Sequence, residues 1–192
     1  ASGGVWKSTN NGQSWTPLFQ NERVASVGAI AIDPKHPDII YVGTGEGNPR
    51  NSQTSGYGLY KSYDGGATWE CLGLEDTRTI HRILINPEQT DEVYVGATGS
   101  AWGDSPRGVF KTTDGGKTWE NSLYINKRAG AGDLVMDPNN PKKLIVNMWE
   151  YRREPWFFKS GGSESGLYIT YDGGEYWDRL GQEEGLPKGE LG

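Results

Sequence analysis

The sequence predicts an all-β chain, and three observations carry the prediction. The 192 residues include 29 Gly, 8 Trp and 10 Tyr beside only 2 Met. Glycine supplies turns and aromatic side chains favour pleated, half-buried strands. A Gly-containing segment ending in Trp recurs four times, and a second apolar element recurs in step with it. An all-helical protein is excluded.

The first recurring element is a short strand, Val5-Trp6-Lys7, Leu59-Tyr60-Lys61, Val109-Phe110-Lys111 or Leu167-Tyr168-Ile169. Each leads into a turn. The turns run from Ser8 through Asn10-Asn11-Gly12 to Trp15, and from Ser62 through Asp64-Gly65-Gly66 to Trp69. They recur from Thr112 through Asp114-Gly115-Gly116 to Trp119, and from Thr170 through Asp172-Gly173-Gly174 to Trp177. The tryptophans stand 54, 50 and 58 residues apart. Asp-Gly and Gly-Gly supply the positive φ that tight hairpins require, and the Asp carboxylate accepts N–H groups of its own turn. In the first copy Asn11 stands where glycine is usual, and Asn tolerates the left-handed region best among residues with a side chain.

The second element is an apolar strand that stops at a turn: Ile30 to Asp33-Pro34, Ile83 to Asn86-Pro87, and Leu134 to Asp137-Pro138. Proline cannot donate to a sheet ladder, so it marks the strand's end. A further strand follows each turn at Ile39–Val42, Val93–Val95 and Leu144–Val146. The order is strand A, Asp-Pro turn, strand B, variable loop, strand C, Asp-Gly-Gly hairpin, strand D. Four strands per unit of roughly 50 residues, in tandem, is the pattern of a β-propeller. By this count 1–23 is a half blade, 24–76, 77–126 and 128–182 are blades, and 183–192 leads to a following blade. About three and a half antiparallel four-stranded blades of a larger ring are expected, because an incomplete ring leaves open sheet faces. Two copies forming a pseudo-ring is the other arrangement, although the half blade makes its closure awkward.

The net charge is -6, with 19 basic and 25 acidic residues. No concentrated basic run offers a nucleic-acid surface, and no apolar run approaches the 18 or so residues of a membrane span. No signal-peptide pattern is visible, and the strand-like Gly4-Val5-Trp6-Lys7-Ser8 opening reads as the interior of something longer. A single cysteine, Cys71, forms no internal disulfide and is expected as a small buried residue beside Trp69, with a reactive thiol as the other reading. Only His36 and His81 are available as histidine ligands, and one Asp per turn makes no calcium cluster. No metal or other cofactor is expected.

The turns resemble the Asp-box, or BNR, motif Ser/Thr-x-Asp-Gly-x-Thr-Trp. Gly43 to Glu46 with Asn48 to Ser52, Ala101-Trp102-Gly103, and Trp149 to Trp156 extend the resemblance to large secreted bacterial proteins with sortilin-like propellers, often labelled glycosyl hydrolases. The resemblance implies a secreted or cell-envelope location. It also implies that the A–B and C–D turns share one face of the ring, while B–C and D–A connections emerge on the other. Asn10, Trp15, Asp64, Trp69, Asp114, Trp119, Asp172 and Trp177 then have a structural role, with catalysis by Asp64, Asp114 or Asp172 the alternative. A sialidase-like site is not matched, since His81-Arg82-Ile83-Leu84 lacks the family's Pro and leading aromatic residue.

The B–C loops bring Arg50, Arg107, Arg152 and Arg153 together with Trp102, Trp156, Phe157 and Phe158. Arg and Trp dominate binding hot spots, and Trp faces stack on sugars, so Arg50, Trp102, Arg107, Arg152, Arg153 and Trp156 are the ligand-binding candidates. The aromatic side chains alternatively plug the loops onto the blades, the reading preferred for Phe157 and Phe158. A glycosidase needs two carboxylates, about 5–5.5 Å apart for retention or 6.5–9.5 Å for inversion. Glu46, Glu150 and Asp133 are the catalytic candidates, with Asp104 and Glu154 nearby. Asp133 and Arg82 occupy matching strand-A positions nearest the axis. Glu46 and Glu150 alternatively pair with Arg50 and Arg153 to hold the loops.

The function expected from these features is non-catalytic: a binding or scaffold segment presenting its B–C loops to a glycan, peptide or protein partner. The alternative is a BNR-type glycoside hydrolase whose active site is completed by blades outside this chain. A purely structural segment without its own ligand is the third reading.

Overall fold

A computed structural model describes residues 3–188. The strands, in chain order, are β1 (Trp6–Lys7), β2 (Thr16–Pro17), β3 (Val27–Ile32), β4 (Ile40–Thr44), β5 (Leu59–Ser62) and β6 (Glu70–Cys71), then β7 (Ile80–Ile85), β8 (Val93–Ala97), β9 (Gly108–Thr112) and β10 (Glu120–Leu123). They end with β11 (Ala129–Asp137), β12 (Asn140–Glu154), β13 (Phe157–Ser160), β14 (Gly166–Thr170) and β15 (Asp178–Arg179). No α-helix occurs among the described residues; one 3₁₀ turn spans Glu75–Thr77.

The sheets follow the repeat. β1 pairs β2, and the next two sheets run β3-β4-β5-β6 and β7-β8-β9-β10. The last runs β11-β12-β14-β15, with β13 on an extension of β12. Neighbours are antiparallel throughout, so the chain is all-β and holds about three and a half propeller blades. The expected connection at 183–192 lies partly outside the described residues, as does the start of the half blade.

The core lies between blades rather than within a single sandwich. Phe19, Val42 and Tyr60 meet at the first seam. Tyr41, Leu59, Ile80 and Val95 fill the second, and Tyr94, Val109, Leu134 and Met148 the third. Packing on both faces buries β4 and β8 along their whole length, which is why these strands read as apolar runs rather than alternating ones.

Each Asp-Gly-Gly hairpin closes in the same way. Asp64 accepts the Thr68 N–H at 2.8 Å and the Thr68 hydroxyl at 2.7 Å, while the Ser62 hydroxyl donates to it at 2.8 Å. Asp114 repeats the set with Thr118 and Thr112. Asp172 keeps the Thr170 and backbone bonds but meets Tyr176 in place of threonine. Asn10 takes the place of Asp in the first hairpin, and Asn11 sits at φ 56°, the left-handed position occupied by Gly65, Gly115 and Gly173 elsewhere.

The hairpins are tied to their neighbours. Gly65, Gly115 and Gly173 donate to carbonyls of Asp38, Asp91 and Lys142, which places each hairpin beside the A–B turn of its own blade. The Trp69 and Trp119 indoles donate to the Leu18 and Leu72 carbonyls of the preceding blade at 2.9 and 3.0 Å, and Trp177 donates to the Ser122 hydroxyl at 3.0 Å. The Tyr94 hydroxyl reaches forward to the Gly173 carbonyl at 2.8 Å.

Three features depart from the sequence reading. The segment after Glu150 is a hairpin rather than a loop, because β12 runs on to Glu154 and pairs with β13. Cys71 is exposed, not buried, with its thiol 3.6 Å from the Glu75 carboxylate. A register shift recurs near the start of every strand A, between Val27 and Ala29, Ile80 and Arg82, and Ala131 and Asp133. Bulges of this kind bend a strand and re-aim the residue that follows. At the first of them a Cβ on Gly28 would lie 2.3 Å from the Ile80 carbonyl oxygen, so only glycine allows the two blades to approach.

Candidate functional site

Glu46, two residues past the end of β4, and Glu150, at the matching point within β12, are both buried. Glu46 accepts a hydrogen bond from the Arg50 guanidinium and one from the Thr54 N–H at 3.4 Å. Burial works against its ionisation, yet the hydrogen bonds it accepts, Arg50 and Thr54 among them, outweigh burial and hold its pKa below the usual range. Glu150 lies 3.1 Å from the Lys159 ammonium and 3.5 Å from the Arg128 guanidinium. Its second oxygen has no hydrogen-bond partner and faces Gly162, where a Cβ would lie 2.4 Å away.

Arg153, the partner expected for Glu150, is used otherwise. Its Nε donates to Asn51 Oδ1 at 2.6 Å, and its guanidinium covers the Phe158 ring at 5.5 Å. That hydrogen bond joins the first loop to the third hairpin. The buried Tyr151 adds a second tie, donating to the Gly99 carbonyl at 3.2 Å. The three loops therefore form one braced surface.

Arg107 corrects the expected ligand-facing set. It has no exposed surface, and its guanidinium donates to the carbonyls of Ser100, Gly103 and Arg128 at 3.0, 3.2 and 2.9 Å. No carboxylate among the described residues pairs with it. Burial pushes its pKa down, but a guanidinium stays protonated in proteins. It is an internal brace carrying a buried positive charge.

The remaining ligand-binding candidates stay accessible. Arg50 is mostly exposed, while Arg152 is partly covered, 3.8 Å from Asp104. Trp156 is 79% exposed at the hairpin tip and Trp102 is 44% exposed. Phe158 meets Trp149 edge to face, with ring centroids 6.0 Å apart, whereas Phe157 remains about half exposed.

Asp133 and Arg82 each follow a strand-A bulge, and they meet across the seam between the last two blades. Arg82 Nε lies 2.5 Å from Asp133 Oδ1, with both side chains nearly half exposed. The guanidinium holds the Asp133 carboxyl below the usual carboxylate range. Beside them His81 packs against Gly47, and its Nδ1 has no hydrogen-bond partner. Burial first, and Arg82 second, lower its pKa. The arrangement leaves an ionised, solvent-reaching carboxylate. Glu46, Glu150 and Asp133 are each held by their own cation rather than as a pair sharing a proton.

Several site residues escaped the sequence reading. Lys127 and Arg128 lie on a D–A connection, which the topology puts on the same face as the B–C loops, so the signal was present. Asn51 has no such signal, since its contact with Arg153 comes from a loop and a hairpin meeting in space. Among the described residues no group of three or more His, Cys, Asp or Glu side chains is placed to hold a metal ion.

The sequence profile of the family described as Sortilin-Vps10 (sortilin, neurotensin receptor 3) matches residues 57–185. The chain is 24% identical over 191 residues to an oligoxyloglucan-reducing end-specific xyloglucanase of Emericella nidulans, covering 93% of this chain and 21% of the relative. It is 31% identical over 103 residues to a probable enzyme of the same name from Neosartorya fischeri, covering 51% of this chain and 12% of the relative. A GH74 enzyme from Niastella koreensis superposes with a TM-score of 0.66 at 23% identity, covering 92% of this chain and 26% of that structure. The GH74 xyloglucanase from Xanthomonas campestris gives 0.63 at 18%, covering 93% and 27%. These likenesses establish the shared fold. The chain spans about a fifth or less of the curated relatives and about a quarter of the solved structures.

Proposed function

The chain belongs to the sortilin (Vps10) family, and from that premise we propose that it forms part of a glycoside hydrolase propeller acting on a polysaccharide. These blades supply the glycan-holding loop face and one ionised carboxylate, Asp133, while blades outside 1–192 supply the general acid. The relatives named as xyloglucanases support the reaction class, and the small share of them that this chain spans supports a site shared with further blades. The observation that carries the reading is the Asp133–Arg82 pair. A glycosidase acid needs a raised pKa, whereas a carboxylate held ionised beside a guanidinium suits the base or nucleophile. Glu46 and Glu150, buried in ion pairs at the loop bases, hold the loops instead. A polymeric glycan is met outside the cell, so a secreted or envelope-associated location belongs to the same proposal. Relatives occur in fungi as well as bacteria, so a bacterial source does not follow from the family.

A leaving group that departs without protonation bypasses the missing acid. The 192-residue chain should be retained by a polysaccharide from a panel of neutral and acidic polymers. It should also release dinitrophenolate slowly from 2,4-dinitrophenyl β-cellobioside, and Asp133→Asn should abolish the release without loss of folding. Release that survives in Asp133→Asn, or retention by no polymer, contradicts the proposal. Binding without cleavage, to a glycan, peptide or protein, is the second reading. It is favoured by the ion-paired state of Glu46 and Glu150, and retention without any dinitrophenolate release would select it.

A further inference from the structure

At the seam between the last two blades, Asp104, Asn126, Lys127, Arg128 and Arg152 line a cavity of about 400 Å³. Three separate chain segments build it: the B–C loop before Arg107, the D–A connection, and the β12–β13 hairpin. Its walls are fixed from beneath. Arg107 donates to the Gly103 carbonyl behind one wall and to the Arg128 carbonyl behind another, so one buried guanidinium sets their spacing.

The charge here runs against that of the whole chain. Lys127 and Arg152 share Asp104, at 3.3 and 3.8 Å, while Arg128 and Lys159 share Glu150. Arg107 adds a cation with no carboxylate partner. Three cations, Lys127, Arg128 and Arg152, thus line the cavity with one carboxylate, Asp104, in a protein of net charge -6. The outer cations remain free to turn toward a ligand, since the Lys127 side chain is 71% exposed and that of Arg128 52%. Trp102, two residues before Asp104 in the same loop, keeps a partly exposed apolar face.

We propose that this cavity binds a carboxylate-bearing sugar, so that the polysaccharide taken by the loop face contains uronic acid. The inference rests on the proposed glycan-acting function and narrows its substrate class. Guanidinium groups match a carboxylate in planar, two-pronged geometry, and the surplus cations give a neutral sugar nothing that an acidic one would not gain more from. An aromatic face in the same loop suits a sugar ring better than a flexible acidic peptide.

Affinity electrophoresis of the 192-residue chain at low ionic strength tests this with four probes: polygalacturonate, its full methyl ester, neutral xyloglucan, and polyglutamate as competitor. The acid should bind at least about tenfold more tightly than the ester, the scale of one or two charge-assisted hydrogen bonds, and the preference should fade near 0.5 M salt, where screening is strong. Arg128→Gln/Arg152→Gln should erase the preference. Lys35→Gln, which removes one charge on the opposite face, should keep it. Equal binding of acid and ester, or a preference that survives the double variant, overturns the inference. Polyglutamate competing as well as polygalacturonate overturns it in favour of an acidic peptide. Binding to xyloglucan or the ester with no preference for acid refutes the uronate alone, whereas binding to none of the polysaccharides refutes the glycan-acting function as well.

Discussion

The two faces of these blades are built by opposite rules. On the hairpin face one set of bonds recurs with small variations: an Asp or Asn closing its turn onto backbone N–H groups, joined by the hydroxyl of a following Thr in two blades, and an indole reaching the preceding blade. On the loop face the bracing side-chain contacts differ from blade to blade. The first loop folds around Glu46, the second around Arg107, and the third becomes a hairpin that reaches back to Asn51. Repetition serves stacking, because each blade must offer its neighbour the same seam. Loops released from that requirement are free to become specific, and such loops on a rigid scaffold are where binding groups concentrate.

The sharpest way to break this division is Arg107→Met. It removes a buried donor from several carbonyls, each worth about 1–3 kcal/mol when left unsatisfied, so stability should fall by at least about 3 kcal/mol. Glycan retention should fall with it, since both walls of the cavity lose their brace. Chemical denaturation read beside affinity electrophoresis checks both.

Trp119→Ala attacks the other face. The indole is half-buried against the second seam, so its loss should cost about 3 kcal/mol, the low end for aromatic truncations. Retention per folded molecule should be unchanged. A variant that lost binding while still folded would blur the division between the faces.

Trp156→Ala is the converse case. At 79% exposure the side chain contributes little to folding, so denaturation should shift by no more than about 0.5 kcal/mol. Polysaccharide binding should weaken by about tenfold, as expected for an aromatic anchor.

The smallest effect is one of pH. Hydrogen bonds from the Thr68 N–H and hydroxyl hold Asp64 at about 2, and the Thr118 hydroxyl and N–H likewise lower Asp114. Both lie below the unfolded value of about 3.9. A depressed folded pKa stabilises the fold above the unfolded pKa, and that contribution is lost as pH falls through the folded one. Melting temperature should therefore drop between about pH 5 and pH 2, and Asp114→Asn should make the drop shallower. An unchanged slope would mean that the turn bonds do not couple to folding.

The same contrast explains what could be read from sequence. The hairpin face was legible because its physics is local: positive φ at Gly65 and Gly66, or at Asn11, is demanded within a few residues of the Asp or Asn that closes the turn. Repetition then identified the strands and the propeller class. The loop face depends on residues far apart in the chain. Arg153 meets Asn51 across two blades, and Arg107 turns inward because four carbonyls converge on its guanidinium. A sequence shows an arginine in a loop but not which way it points. The strand-A bulges were hidden for a similar reason, since an extra residue in a strand leaves the surrounding apolar pattern readable. Yet those bulges put Arg82 and Asp133 in contact.

Amide hydrogen exchange of the chain with and without a retained polysaccharide tests the division of the two faces most directly. Protection should appear in 46–56, 98–107, 126–128 and 150–160, and the hairpins at 62–69, 112–119 and 170–177 should exchange as before. Protection centred on those hairpins, with the loops unchanged, would contradict the account and put the ligand on the face assigned here to stacking.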